Sequence, residues 1–257
     1  MRRSLFAFAV VLLAAVSVAA QEMRPVSYVA EFQIKSGSTD WINLIKKYDK
    51  PMLDKLMADG TVLAWGLDVV VIHRGEGVTH RIWVVTRDYA GMDKVVAGFN
   101  AINVTPEDRA RYLEVANLSN LHEHYMRSIL LNVPEAPPAA RPYRTYSRVK
   151  VKPGKGSEWR KLFEKYNKPV LDKLVADGAI HSYGVDVEDF HTEDPGWHWV
   201  WVATTNLAAF DKIDAANEKL SETERAAIAL EFENVTEAGA HRDYLYRTVV
   251  TGGRSGK

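Results

Sequence analysis

Apolar positions follow two rhythms along this chain, and the same succession of rhythms is written twice. Residues 27–34 and 144–151 are short and rich in β-formers, which predicts a strand opening each copy. A helical pattern follows, with Trp41, Ile45, Tyr48, Met52 and Leu56 on one face, mirrored by Trp159, Phe163, Tyr166, Val170 and Leu174. Pro51 and Pro169 fall inside that pattern and predict a kink or a restart, because proline has no N–H to give to the helix. Gly60 and Gly178 provide the stop. Two strands joined by a loop come next, at residues 61–74 and 79–87 of the first copy. A helical stretch in two pieces then leads to a last strand, at 126–131 and 245–250. The second helical piece starts at Thr105-Pro-Glu-Asp108 and at Ser221-Glu-Thr-Glu224. Each start sets a hydroxyl three residues before a carboxylate, the pattern of a capping box.

The repeat is explicit in the residues. Lys47-Tyr-Asp-Lys-Pro-Met-Leu-Asp-Lys-Leu-Met-Ala-Asp-Gly60 returns as Lys165-Tyr-Asn-Lys-Pro-Val-Leu-Asp-Lys-Leu-Val-Ala-Asp-Gly178. At a constant offset Trp41 matches Trp159, Gly66 matches Gly184, Asp68 matches Asp186, and His73, His80 and Trp83 match His191, His198 and Trp201. His122-Glu-His-Tyr125 aligns with His241-Arg-Asp-Tyr244 after a small drift. Between the copies lies Pro134-Glu-Ala-Pro-Pro-Ala-Ala-Arg-Pro142, too proline-rich for a helix or a sheet interior. The division expected is a leader over 1–20, a first repeat over 21–133, a linker over 134–142 and a second repeat over 143–257.

Each copy reads β-α-β-β-α-β, the ferredoxin-like order, so the chain is α+β. A four-stranded sheet with both helices on one face leaves its other face bare, and the second copy is the obvious cover. Two tandem ferredoxin-like repeats packed sheet to sheet form a pseudo-dimeric α/β barrel. In this order and duplication the chain resembles the dimeric α/β-barrel superfamily, which includes antibiotic-biosynthesis-type monooxygenases and NIPSNAP-like and EthD-like proteins. The resemblance covers both copies and carries no signature motif, so it transfers no catalytic residue. It implies a small-molecule cavity suited to cofactor-independent oxygenation or proton transfer on an apolar substrate.

The N-terminus changes the picture of where the protein works. Arg2 and Arg3 precede an apolar run from Leu5 to Val18, and Val18-Ala19-Ala20 offers small residues to a signal peptidase. A periplasmic or secreted protein is expected, with a retained anchor as the alternative. Without cysteine there is no lipoprotein anchor, disulfide, thiol catalysis or thiolate metal site. Lys plus Arg and Asp plus Glu number 33 each, which gives no electrostatic footprint for nucleic acid or anionic lipid. No segment after the leader is long and apolar enough to span a membrane. The partner expected is a small-molecule ligand, with homo-oligomerisation left open.

Four groups of residues are candidates for chemistry. If His73 pairs with His80 across the hairpin, Asp68, Trp83, Asp186 and Trp201 share the face turned towards the other sheet. Carboxylates beside indoles, with Gly66 and Gly184 leaving room, suit the lining of a ligand cavity. Equally, such carboxylates serve a buried arginine or the backbone. His73 with His80, and His191 with His198, bracket the hairpin loops and offer metal ligands with Glu76, or with Glu193 and Asp194; a loop-stabilising role is the alternative. His122 and His241, each three residues before a tyrosine, could act as acid and base or hold haem, or else cap the preceding helix. Tyr48 and Tyr166 read as helix core. No phosphate-binding glycine loop, nucleophile elbow or HExxH helix occurs. The sequence therefore leaves open a cavity enzyme, a non-catalytic binding scaffold and a haem or metal binder, and it indicates no particular cofactor.

Overall fold

The computed structural model describes residues 24–35, 38–72, 77–116, 122–133, 143–190 and 195–252. The expected leader, the linker and the histidines at 73 and 191 lie outside them. In the first half β1 (Val26–Phe32) leads into α1 (Ser38–Ala58), β2 (Val62–Val70), β3 (His80–Thr86), α2 (Tyr89–Asn100), α3 (Pro106–Val115) and β4 (His122–Val133). The second half repeats this with β5 (Tyr143–Val151), α4 (Gly156–Leu162), a π-helical turn (Phe163–Asn167), α5 (Lys168–Ala176), β6 (Ser182–Phe190), β7 (Trp197–Thr204), α6 (Ala208–Asn217), α7 (Glu222–Val235) and β8 (Thr236–Thr251).

The four strands of each half lie in the order fourth, first, third, second. The edge strands of one half pair with those of the other, β2 with β8 and β4 with β6. The result is a closed antiparallel barrel of order β1-β3-β2-β8-β5-β7-β6-β4, which removes every open sheet edge. Both seams carry register shifts, at Leu67/Asp68 and at Met126/Arg127 and Ile129/Leu131, where bulges bend the strands into the closure.

Alternation along the strands sends one set of side chains outward beneath the helices and the other into the barrel. Outward, Phe32, Trp65, Leu67, Ile82 and Val84 bury against Trp41, Ile45 and Leu53 of α1 and Met92 and Val95 of α2. The second half does the same with Tyr183, Val185 and Val202 against Trp159, Phe163, Leu171 and Leu174. Burial of this kind stabilises by roughly 1.5–3 kcal/mol per large side chain.

Helix boundaries follow the local signals. Gly60 and Gly178 sit at φ of 80° and 68° just past their helices, the left-handed position a side chain would oppose. α1 runs through Pro51 without a break, whereas the second copy opens a π turn immediately before Lys168-Pro169. Ser221 forms the full reciprocal capping box with Glu224. Thr105 accepts from the Asp108 amide, but the Asp108 carboxylate turns elsewhere.

The hairpin register differs from the one expected. β2 ends at Val70, and His80 faces Val69 rather than His73. The shift is four residues, an even number, so every side chain keeps its expected face. His122 opens β4 opposite Phe32, which sets aside the alternative in which it caps the preceding helix.

Candidate functional site

The inside of the barrel sets buried ion pairs among an aromatic cluster of Trp83, Tyr146, Trp199, Tyr244 and Tyr246. Asp68 accepts from Arg81 Nε and Nη2 at 3.0 and 2.9 Å and from Thr248 Oγ1 at 2.7 Å. The Arg81 guanidinium lies between the rings of Tyr146 and Tyr246, 3.5 and 4.1 Å from their centroids. Tyr246 donates to Glu31 at 3.1 Å. Asp186 pairs with Arg127 at 3.1 Å and accepts from the Trp201 indole at 3.3 Å. Burial still pushes its carboxyl upward, with Arg127 opposing. Glu188 takes the Trp199 indole N–H at 2.7 Å. Asp68, Trp83, Asp186 and Trp201 thus point between the sheets, where Asp68 is held by Arg81 and Thr248 and Asp186 by Arg127 and the Trp201 indole.

The two glycines explain the indoles. A Cβ on Gly66 would stand 2.5 Å from the Trp83 ring, and one on Gly184 2.5 Å from Trp201. Each indole therefore lies flat on the bare backbone of the next strand. The two rings share Arg144, whose guanidinium is 4.9 Å from Trp83 and 5.6 Å from Trp201.

A cavity of about 930 Å³ opens elsewhere, between the outer face of the first sheet and α1, α2 and α3. That is the size range of small-molecule sites. Its floor is Tyr28, Ala30, Phe32 and Ile82; Ile45 and Asp49 come from α1, Met92 and Val95 from α2, and Tyr112 from α3. Val96, Asn100, Arg109 and Leu113 also line it and are exposed, so it reaches solvent between α2 and α3. Most of the lining is apolar, and the polar groups are few.

Asp49 is the chemically distinctive one. Its carboxylate is half-buried, and no described residue donates to it. Burial pushes the carboxyl up to about 7, since the ionised form has lost water and gained nothing in return. Tyr28 is pushed up to about 12, by burial first and by its neighbour Tyr112 second. Tyr112 is raised by burial, reinforced by the Asp49 charge. A poised carboxylate thus shares the cavity with two phenols that stay protonated.

α1 holds Asp49 in place through its neighbours. Lys47 and Tyr48 both bind the Asp108 carboxylate, fastening α1 to the start of α3. Lys50 pairs with Asp54, which also accepts from the Trp65 indole at 3.2 Å. The second half repeats the clasp: Lys168 pairs with Asp172, which accepts from Tyr183, and Tyr166 donates to Glu231 at 2.7 Å. The strongly repeated Lys-Tyr and Lys-Pro segment is therefore a helix fastening.

The second half keeps Tyr166 in the place of Tyr48 but lacks four other ionisable groups of the cavity. Asn167 stands where Asp49 does. Lys35 N donates to Val115 O and Lys152 N to Val235 O, both at 2.8 Å, so Val115 corresponds to Val235. Tyr112 then corresponds to Phe232 and Arg109 to Ala229. Val29 pairs with Trp83 as Tyr146 pairs with Trp201, which sets Thr145 in the place of Tyr28.

The histidines are dispersed. His80 lies under α1, its ring 5.2 Å from Trp41, with Nδ1 2.9 Å from Thr79 Oγ1; burial pulls it down to about 4. His198 repeats the placement 4.9 Å from Trp159, its Nδ1 donating to Gly196 O at 3.0 Å, and burial lowers it too. Their expected partners His73 and His191 lie outside the described residues. Among the described residues no three His, Asp or Glu side chains stand close enough to hold a metal. The side chain of His122 is likewise not described. His241 is exposed on β8, 3.1 Å from Asp243, which also accepts from Ser147 at 2.5 Å. None of the described histidines lines the cavity. Asp49, Tyr28 and Tyr112 were not singled out from the sequence, although Asp49 against Asn167 is the charge difference inside the best-matched segment.

No protein-family model matches this sequence, and no curated protein does. Solved structures are similar in fold. A candidate monooxygenase from Fusobacterium nucleatum subsp. nucleatum ATCC 25586 aligns at TM-score 0.63 and 10% identity, over 92% of this chain and 98% of that one. A candidate monooxygenase from Lactobacillus acidophilus NCFM aligns at 0.61 and 13%, over 90% and 97%. An anthrone oxidase-like protein aligns at 0.58 and 13%, over 92% and 96%. At such identities the likeness is one of fold. The chain has the dimeric α/β-barrel fold, with both halves of the pair carried on one polypeptide.

Proposed function

We propose that this protein binds a flat, apolar small molecule in the first-half cavity and removes a proton from it with Asp49. The observation that carries this reading is a carboxylate without a donor among the described residues, held near pH 7 by burial, in a mostly apolar cavity of ligand size. A base poised at the working pH takes a proton from an activated C–H or phenolic O–H, and the Tyr112 phenol in the same cavity offers a hydrogen bond to the oxygen that becomes negative. The resulting electron-rich anion passes electrons to dioxygen without a cofactor. On an anthrone, a class of compound named for one fold relative, one dioxygen would yield the quinone and one water. The work would take place in the periplasm or outside the cell, as Arg2-Arg3 and the apolar run after them suggest.

The test is dioxygen uptake with anthrone as probe, in wild type and Asp49→Asn. The rate should rise with pH through about 7 in wild type and fall at least a hundredfold in the variant. Uptake that ignores both pH and the substitution would remove Asp49 from the chemistry. Export is tested separately, by N-terminal sequencing of the protein recovered outside the cytoplasm.

A further inference from the structure

The cavity has two more charged groups: Asp108, held by Lys47 and Tyr48, and Arg109, which has no assigned role. Arg109, in the first turns of α3, lines the cavity at its exposed end together with Asn100, between the apolar lips Val96 and Leu113. No described residue pairs with its guanidinium. The acids around it are engaged elsewhere: Asp108 holds Lys47 and Tyr48, while Asp40 and Glu114 hold Arg111. Arg111, two residues along the same helix, is thus tied twice and Arg109 not at all.

We propose that Arg109 sets the specificity of this cavity, selecting ligands whose apolar ring system carries an anionic group on the end that stays at the mouth. The inference rests on the cavity reading above and adds the class and orientation of the ligand. Three observations support it. The cavity has opposite charges at its two kinds of position, Asp49 half-buried within and Arg109 exposed at the opening. An anionic substituent is therefore repelled from the inner position and drawn to the outer one, which leaves the opposite end of the ring system facing the base. A guanidinium also presents a planar fork that matches a carboxylate with two parallel hydrogen bonds. Finally, the halves change together: where Asp49 is replaced by Asn167, Arg109 is replaced by Ala229. The half that has given up the base has also given up the cation.

Two fluorescent probes separate this from the parent reading. 2-Naphthol and 6-hydroxy-2-naphthoic acid share ring and hydroxyl, and the acid adds a carboxylate at the far end. Their dissociation constants would be measured at low salt on the full chain in wild type, Arg109→Gln and Arg109→Lys. In wild type the acid should bind about three- to tenfold tighter than 2-naphthol. That ratio should fall to about one in Arg109→Gln, survive in part in Arg109→Lys, and shrink on adding salt. Equal affinities in wild type, or an undiminished ratio in Arg109→Gln, would overturn the role of Arg109 while leaving the cavity reading intact. Failure of wild type to bind either probe would overturn both.

Discussion

If Asp49 is kept for chemistry, it should lower stability, and the amount can be worked out. A carboxyl moved by burial from 3.8 to about 7 has an ionised form raised in free energy in the folded state. At about 1.4 kcal/mol for each decade, the upper bound is about 4 kcal/mol. Asp49 keeps some exposure through the cavity, and screening there brings the expectation to about 2 kcal/mol. The sign follows from proton counting. Because the folded pKa lies above the unfolded one, the folded state binds more protons between pH 3.8 and 7, so wild type loses stability as pH rises through that window.

Asp49→Asn replaces the carboxyl with the amide that the second half already carries at Asn167, and it removes this pH dependence. At pH 8 the variant should melt about 4–8 °C above wild type, and the gap should close as pH falls towards 4. Thermal unfolding followed by circular dichroism across that range measures the difference directly. A gap independent of pH, or a variant less stable than wild type at pH 8, would refute the idea that burial holds this carboxyl high. Together with lost turnover, a more stable variant would identify the group as one retained for function at the expense of stability.

Other consequences can be checked on the same protein. Arg81→Met leaves Asp68 buried without its cation and should cost about 3–5 kcal/mol by urea denaturation, whereas Arg81→Met with Asp68→Leu should recover much of it. Gly66→Ala drives a methyl into the Trp83 ring and should cost about 1–3 kcal/mol, with a change in the near-ultraviolet circular dichroism of the indole. His80, pulled down to about 4, contributes stability that is present above pH 6.5 and lost as pH falls from there to 4. His80→Leu should therefore flatten acid destabilisation in that window, by up to about 3 kcal/mol.

The fold was legible because its signals are local. The alternation of strands, the helical spacing from Trp41 to Leu56 and the stops at Gly60 and Gly178 depend on a few residues each, and duplication doubled every one of them. The hairpin register was less legible, since it depends on where β2 leaves the sheet, which the pattern around Val70 to His73 does not mark. Asp68 and Trp83 lie on the face expected, and the alternative in which the carboxylates serve buried arginines matches their contacts, Arg81 with Asp68 and Arg127 with Asp186. Which arginine meets which carboxylate depends on the hairpin register and on the seam between the halves, which no spacing in the sequence encodes. Asp49 escaped notice for a different reason. Attention to residues shared by both copies selects what both copies need, such as the Lys50–Asp54 and Lys168–Asp172 clasps. A site kept by one copy lies where the copies differ.

Fusion makes such a difference possible. Two identical chains closing a barrel must present the same residue at both symmetry-related positions. Here Arg81 in β3 corresponds to Trp199 in β7, and the two have opposite needs: Arg81 uses Asp68 and the rings of Tyr146 and Tyr246, while Trp199 donates to Glu188. A symmetric pair with arginine at both places would bury a second guanidinium against the first, and one with tryptophan at both would leave Asp68 without a cation. On one chain each half can complete the other. The second half supplies the aromatic clamp on Arg81 and the carboxylate for Arg127, so its contacts hold the first sheet in shape. Beneath its own helices it packs Phe163 and Phe232, where the first half has Ile45 and Tyr112 lining a cavity.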